Sequence, residues 1–420
     1  MKAKLIETSD KELVLQVTVT LESGMLKTEE SIQDSLNQAG CLATEIALSR
    51  FDTNGEPIMV NGLRYTTKGQ IEKIYQTPYG EVKLPRHVYQ GSRGGKTYCP
   101  LDRDARTIVY STPKFAKSVS SKYASASSRT VHDDLKGNHG RYISRTYIKD
   151  IADAVGGIAL DKEEKWSQAP PVSFGRVETI GFGLDGTCMF MSEDGWRQAM
   201  VGTIAYFDSE GERLNTIYLS AAPEYGKSRF LKKFEDEVAR AKRNHPDSKF
   251  VGIADGARDN WKFLSKHTEV GILDFYHACE YVTKVADVAF RSKNKRAKWP
   301  AESRHRLKHD PRGAAELMRE FGVFRDKCLS GQKREKIESS ITYFANNIDK
   351  MKYHEYRAMN FPIGSGVTES ACKVIVKQRM CNSGMKWKKQ GAESVLCLRA
   401  LNYSSGRWGQ MWDKINRYGI

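Results

Sequence analysis

The sequence predicts an α/β protein: a mixed sheet in the order β-β-β-α-β-α-β-α, interrupted by an all-helical insertion. Three observations carry that expectation. Three strand-like runs, Val177 to Met191, Arg197 to Phe207 and Arg213 to Ser220, follow one another closely. Glu193-Asp194-Gly195 and Asp208-Ser209-Glu210-Gly211 separate them, and short polar turns between apolar runs write an antiparallel meander. Two short apolar strands come next, Phe250 to Ala254 and Val270 to Leu273. Each is preceded by a helical stretch, Lys227 to Lys242 and Asn260 to Lys266, which is the spacing of parallel strands. From Cys279 to about Asn360 the patterning is helical throughout. Pro362, Gly364 and Gly366 then break the chain, and a helix is expected from Val367 to about Met380.

The 420 residues suffice for two or three domains with cores of their own. Hydrophobic content of 40% and charged content of 28% belong to a globular chain rather than a disordered one. With 67 basic and 51 acidic residues the formal charge is +16, which suits a polyanionic partner: nucleic acid first, an anionic membrane second. No run of about 18 apolar residues occurs, so no membrane span is expected. Acids follow the opening Met1-Lys2-Ala3-Lys4 where a signal peptide would have its apolar core, and a cytoplasmic, nucleoid-associated location is expected. The eight cysteines are scattered with no C-x-x-C pair, the pattern of reduced thiols rather than of zinc ligands.

The expected organisation is an N-terminal region at 1–112, a helix-turn-helix-like region at 113–162, a first part of the sheet domain at 172–278, the helical insertion at 279–360 and a second part at 361–420. The first region mixes a β-like run (Glu12 to Leu21), an amphipathic stretch (Thr28 to Ser49) and a hairpin from Gln70 to Tyr98 that turns at Pro78-Tyr79-Gly80. Helices are expected from Lys114 to Ala124, from Ser128 to Lys136, and after the N-cap Ser144, where Tyr147, Ile148, Ile151 and Val155 form one stripe. Two short helices joined by Gly137-Asn138-His139-Gly140 read either as a DNA-binding helix-turn-helix or as a small helical bundle. A polar linker spans Glu163 to Pro171. In the insertion, nine Lys or Arg between Arg291 and Arg312 read as a solvated basic face or as a phosphate-binding surface.

The order of elements matches the ribonuclease-H-like fold, and three acids stand out within it. Asp185 lies midway along the first strand with apolar residues on both sides. Asp255 ends the first parallel strand, where open α/β sheets place their ligand sites. Glu369 lies in the first turn of the helix after the insertion. Plainer readings exist: Asp-Gly, at 185–186 and 255–256, is a common turn pair, and a first-turn glutamate complements the helix dipole. Asp274 also ends a strand and competes with Asp255, which is preferred because its strand adjoins the meander. Converging carboxylates repel unless cations hold them, and oxygen ligands suit Mg²⁺ or Mn²⁺. Two such ions ~3.5–4 Å apart can activate a water or a 3′-hydroxyl and stabilise the leaving oxygen of a phosphodiester.

GLDGTCM (183–189), EDGWRQAMVGTI (193–204), APEYGKSRF (222–230), GIADGARDNWKFL (252–264), LDFYHACEY (273–281), PIGSGVTESACK (362–373), VKQRMCNSGMKW (376–387) and LRALNYSSGRWGQMW (398–412) resemble bacterial insertion-sequence transposases of the DDE class. The similarity is to the ISKra-type family in particular and runs in register from about residue 110 to 420. It implies that Asp185, Asp255 and Glu369 are the catalytic, metal-holding triad. It also implies a supporting or DNA-contacting role for Asp274 and His277, which match the Asp-x-x-His motif of mutator-like transposases, and it makes 279–360 the insertion placed before the glutamate. Relatives often carry a zinc-type cysteine cluster before a Cys-Pro-Leu-Asp motif; here Cys99-Pro100-Leu101-Asp102 stands without one.

The expected function is a metal-dependent transposase that binds the terminal inverted repeats of its element, cleaves there and joins 3′ ends to target DNA. Expected DNA contacts are Lys373, Lys377 and Arg379, with Lys227 and Arg145. Two divalent ions, double-stranded DNA and further copies of the chain are the expected partners. The rival readings are a non-catalytic DNA-binding regulator and a nuclease of the same fold that cuts RNA–DNA hybrids.

Overall fold

Strand alternation and turn chemistry decide which segments pair, and they act separately in two parts of the chain. In the computed structural model, which describes residues 3–92, 94–162, 166, 175–224 and 227–419, the chain divides into two units. One comprises Met1–Ser167 with Gly409–Ile420, the other Gln168–Trp408. No helix among the described residues is long and apolar enough to cross a membrane. Except for Trp166, the linker expected over Glu163 to Pro171 lies outside the described residues.

In the first unit β1 (Ala3–Thr8) and β2 (Leu13–Val17) form an antiparallel pair, followed by α1 (Met25–Ser49). A second, three-stranded sheet contains β3 (Ile58–Val60), β4 (Leu63–Gln76) and β5 (Glu81–Gly91). Its main hairpin turns at Thr77–Gly80, where Thr77 N donates to Gly80 O at 3.0 Å. After α2 (Pro100–Asp104) come α3 (Pro113–Ser125), α4 (Ser128–His139) and α5 (Arg145–Lys162). Ser127 Oγ caps α4 by accepting from Thr130 N at 3.1 Å, and Ser144 Oγ accepts from Tyr147 N at 3.2 Å at the start of α5. Gly140, at φ +60°, ends α4 in the left-handed conformation that glycine adopts without strain. Ile148, Ile151 and Val155 are buried, so the expected stripe is the face that packs on α3 and α4.

The second unit is built on a five-stranded mixed sheet in the order β10-β9-β6-β7-β8. The strands β6 (Thr179–Met191), β7 (Gly195–Phe207) and β8 (Arg213–Ala221) are an antiparallel meander, and β9 (Lys249–Ala254) and β10 (Val270–Leu273) run parallel to β6. Between them lie α6 (Ser228–Asn244) and α7 (Arg258–His267). Phe230 and Phe234 bring α6 onto Gly202 of β7, where a Cβ would press on both rings. The insertion comprises α8 (Phe275–Ala289), α9 (Lys293–His309), α10 (Gly313–Asp326), α11 (Gly331–Asn347) and the short α12 (Tyr353–Ala358). Its Leu307, Leu317, Phe321, Ile337 and Phe344 belong to the same buried cluster as the sheet. On α9 the basic stretch divides: Arg306 pairs with Glu320 and Arg304 donates to Thr283, while Lys293 and Lys295 are exposed.

The helix expected from Val367 to about Met380 runs unbroken from Gly366 to Met380, but its pitch widens midway. It consists of α13 (Gly366–Ala371), a π-helical turn Cys372–Lys377 and α14 (Gln378–Met380), and α15 (Lys389–Tyr403) and α16 (Arg407–Tyr418) complete the chain. The physical reason lies in α15. Arg399, 1% exposed, donates to the carbonyls of Ile375 (2.8 Å) and Val374, satisfying the acceptors that the widened turn diverts from the helix ladder.

Gly183 explains how closely α13 approaches the sheet. A Cβ there would collide with the hydroxyl of Thr368 and lie 2.7 Å from that of Thr203, and those two hydroxyls are themselves 2.7 Å apart. Gly183→Ala should therefore destabilise the protein by about 1–3 kcal/mol through overpacking, measured by urea unfolding, while Gly137→Ala, which meets open space, should not.

Candidate active site

Strand register brings the aspartates together. The β6–β9 ladder reaches Gly183 opposite Ile253, and the β9–β10 ladder reaches Ala254 opposite Leu273. Asp185 and Asp255 each lie two residues beyond the first pair, and Asp274 one beyond the second. A two-residue step keeps a side chain on the same face, so the three aspartates stand side by side on one face, Asp255 and Asp274 just past the carboxyl ends of β9 and β10 and Asp185 midway along the longer β6. That face carries Gly183 and hence α13, whose first turn supplies Glu369. Neither Asp-Gly pair is a positive-φ turn: Gly186 sits within β6, and Gly256 leads into α7.

Asp185 is largely buried, and burial holds its carboxyl above the usual carboxylate range. Gly186 N, donating to Oδ1 at 2.6 Å, and the Cys372 thiol, donating to Oδ2 at 3.5 Å, pull in the other direction, while the charges of Asp255 and Glu369 add to the rise. These charges on Asp185 place the three expected triad members in one electrostatic neighbourhood. Burial, then Asp185 itself, pushes the Cys372 thiol up, so it stays protonated as a donor to the carboxylate. Asp255 receives Ala257 N on Oδ1 at 3.1 Å, and its carbonyl receives Trp261 Nε1 at 2.7 Å.

Asp274 is fully buried and is the N-cap of α8, accepting from His277 N at 2.7 Å. Its other oxygen accepts from Ser365 N and, at 2.6 Å, from Ser365 Oγ. The same Oγ lies 2.8 Å from Glu369 Oε1, so one hydroxyl proton serves two carboxylates. His277 Nδ1, buried and without a hydrogen-bond partner, lies 3.4 Å from Asp274 Oδ1 and 3.5 Å from Glu369 Oε1. Ligand atoms of Asp274, His277 and Glu369 fall within 4.8 Å of one another, close enough to hold a cation between them. Glu369 thus stands between two groupings: with Asp185 and Asp255 on one side, with Asp274 and His277 on the other. The donors are carboxylate oxygens and one imidazole, and the sulfur beside Asp185 is a protonated thiol, which suits a hard divalent cation rather than a thiophilic one.

The expected DNA contacts divide. Lys373 and Lys377 are exposed on the π-helical turn that follows Glu369. Lys227 is the N-cap residue of α6, just beyond the end of β8; that end pairs with Met200, which in turn faces Gly186, so Lys227 follows a strand that stops level with the acids. Arg145 is exposed at the start of α5 in the first unit. Arg379 is a correction: it is 2% exposed, with its guanidinium over the Trp387 ring at 5.0 Å, and it offers no surface charge. The π turn is the reason, because an extra residue per turn shifts the phase of everything after it by about 100°. Sequence reasoning missed Ser365 and Cys372. The second had a signal, since it follows Glu369 by three residues, one helical turn; Ser365 lies in a glycine loop and had none. The chain matches no protein-family model and no curated protein.

The raised carboxyl of Asp185 has a sign. A folded-state value above the unfolded one means the native state binds more protons, so the stability it lends below the ordinary carboxylate range is lost as pH rises through the raised value. In a chelator-containing buffer at pH 8, Asp185→Asn should therefore melt at a higher temperature than the wild type. The difference should vanish on acidification, and Mg²⁺ should raise the melting temperature of the wild type alone.

Proposed function

We propose that this chain is a DDE-class transposase of the ISKra type with a ribonuclease-H-like core, which cleaves at the ends of an insertion sequence and joins the 3′ ends to target DNA. One observation carries the reading: Asp185, Asp255 and Glu369 gather where β9 ends beside the middle of β6, in a sheet whose strands run antiparallel from β8 through β7 to β6 and then parallel into β9 and β10. Asp185, Asp255 and Glu369 would hold the divalent ions, magnesium or manganese, and Asp274 with His277 offers a further position that shares Glu369. When bound, such ions supply an activated water or 3′-hydroxyl and neutralise the leaving oxygen.

The chain's own groups do the positioning. Cys372 and Gly186 orient the Asp185 carboxylate, and Ser365 ties Glu369 to the buried cap of α8. Lys373 and Lys377 draw the phosphate backbone toward the acids, with the salt dependence that phosphate contacts bring. The α4–α5 pair of the first unit, with Arg145 at the start of α5, binds the duplex, and a second copy brings the second element end.

The test incubates the protein with a labelled element-end duplex, with and without Mg²⁺, beside Asp185→Asn, Asp255→Asn, Asp274→Asn and Glu369→Gln. The expected result is metal-dependent nicking that falls by about a hundredfold or more in the Asp185, Asp255 and Glu369 variants, with duplex binding retained. Full cutting by Asp255→Asn and none by Asp274→Asn would transfer the second ligand to Asp274. Binding by every protein with cutting by none would make the chain a regulator.

A further inference from the structure

The helical insertion meets the strand end that carries Asp255 at Tyr343. Tyr343, on α11, lies against Gly256, the residue after Asp255: a Cβ at Gly256 would collide with the Tyr343 ring edge and stand 3.2 Å from its Cζ. The ring cannot swing aside freely, because its face stacks on Tyr281 of α8 with centroids 3.8 Å apart and planes 11° from parallel. On the other flank, Trp261 Nε1 holds the Asp255 carbonyl at 2.7 Å, and Ala257 N donates to its carboxylate at 3.1 Å. Asp255 is thus the end of a strand whose next peptide is clamped between α7 and an aromatic pair supplied from far along the chain. Burial, then Tyr281, Asp255 and Asp274, raises the pKa of the Tyr343 hydroxyl.

We infer that Tyr343, with Tyr281 behind it, is a positioning residue for Asp255. The aromatic stack presses on Gly256 and fixes the direction in which the carboxylate meets a divalent cation, so the insertion is part of the metal site and not only a surface for DNA. The glycine of this Asp-Gly pair is required by that approach rather than by a turn, since its φ is not positive. The inference rests on the reading of Asp255 as a metal-holding carboxylate.

Mn²⁺ binding to the full-length chain, followed by the electron paramagnetic resonance of the free ion, tests it. Residues that orient a ligand from behind typically change metal affinity by about 10–100-fold, so Tyr343→Ala and Gly256→Ala should each weaken Mn²⁺ binding at least tenfold. Tyr343→Phe, which keeps the ring, should bind within about twofold of the wild type, and all three should melt cooperatively by circular dichroism. Wild-type affinity in both Tyr343→Ala and Gly256→Ala would overturn the inference while leaving the metal reading intact. Equal loss in Tyr343→Phe would also overturn it, by giving the role to the hydroxyl. A wild-type chain that binds no Mn²⁺ would sink the metal reading and this inference with it.

Discussion

Carboxylates do not gather unaided, and the second unit is arranged around the repulsion between those that meet where β9 and β10 end. Side-by-side acids destabilise a fold more strongly the drier their surroundings become. Each one here is met by donors from a different element. Asp185 is served by its own strand and by the π turn, Asp255 by the loop into α7, and Asp274 by the first turn of α8 and the loop before α13. The charges are therefore tolerable only when all of these segments are in place. Tertiary structure creates the cluster and also makes it endurable.

Close approach is the second requirement, and glycine supplies it twice. At Gly183 the missing side chain lets Thr368, and with it Glu369, come down onto β6; at Gly256 it lets an aromatic ring from the insertion reach the strand end. In both places the neighbour is a side chain from a distant stretch, so the space is defined by partners that the local sequence does not announce. Ser365 has a related part: one small hydroxyl spans two carboxylates where a larger group would separate them.

Much of this was legible beforehand. The meander and the two parallel strands are short apolar runs bounded by turn residues, and the boundaries of β10 coincide with those expected because Glu269 and Asp274 delimit a four-residue apolar run. The convergence of Asp185 with Asp255 also follows from alternation once the strands are known to be parallel. The burial of Asp274 was harder to see: a residue that ends a strand and caps a helix writes the same letters as one that offers a free carboxylate. The inward turn of Arg379 was invisible, because helical periodicity assumes a constant pitch and the π turn is imposed by Arg399 from another helix. Tyr343 sits among regularly patterned helical residues that give no sign of what their ring faces.

The bond from Arg399 to the carbonyls of Val374 and Ile375 also has a consequence in time. A ribosome delivers β6, β9, β10 and Glu369 before it delivers α15, so the segment bearing the last acid is made before the guanidinium that sets its pitch. Until then the turn after Glu369 lacks the donor that its carbonyls have in the folded chain. The order of synthesis thus makes the donor that completes this turn last, after every strand of the sheet.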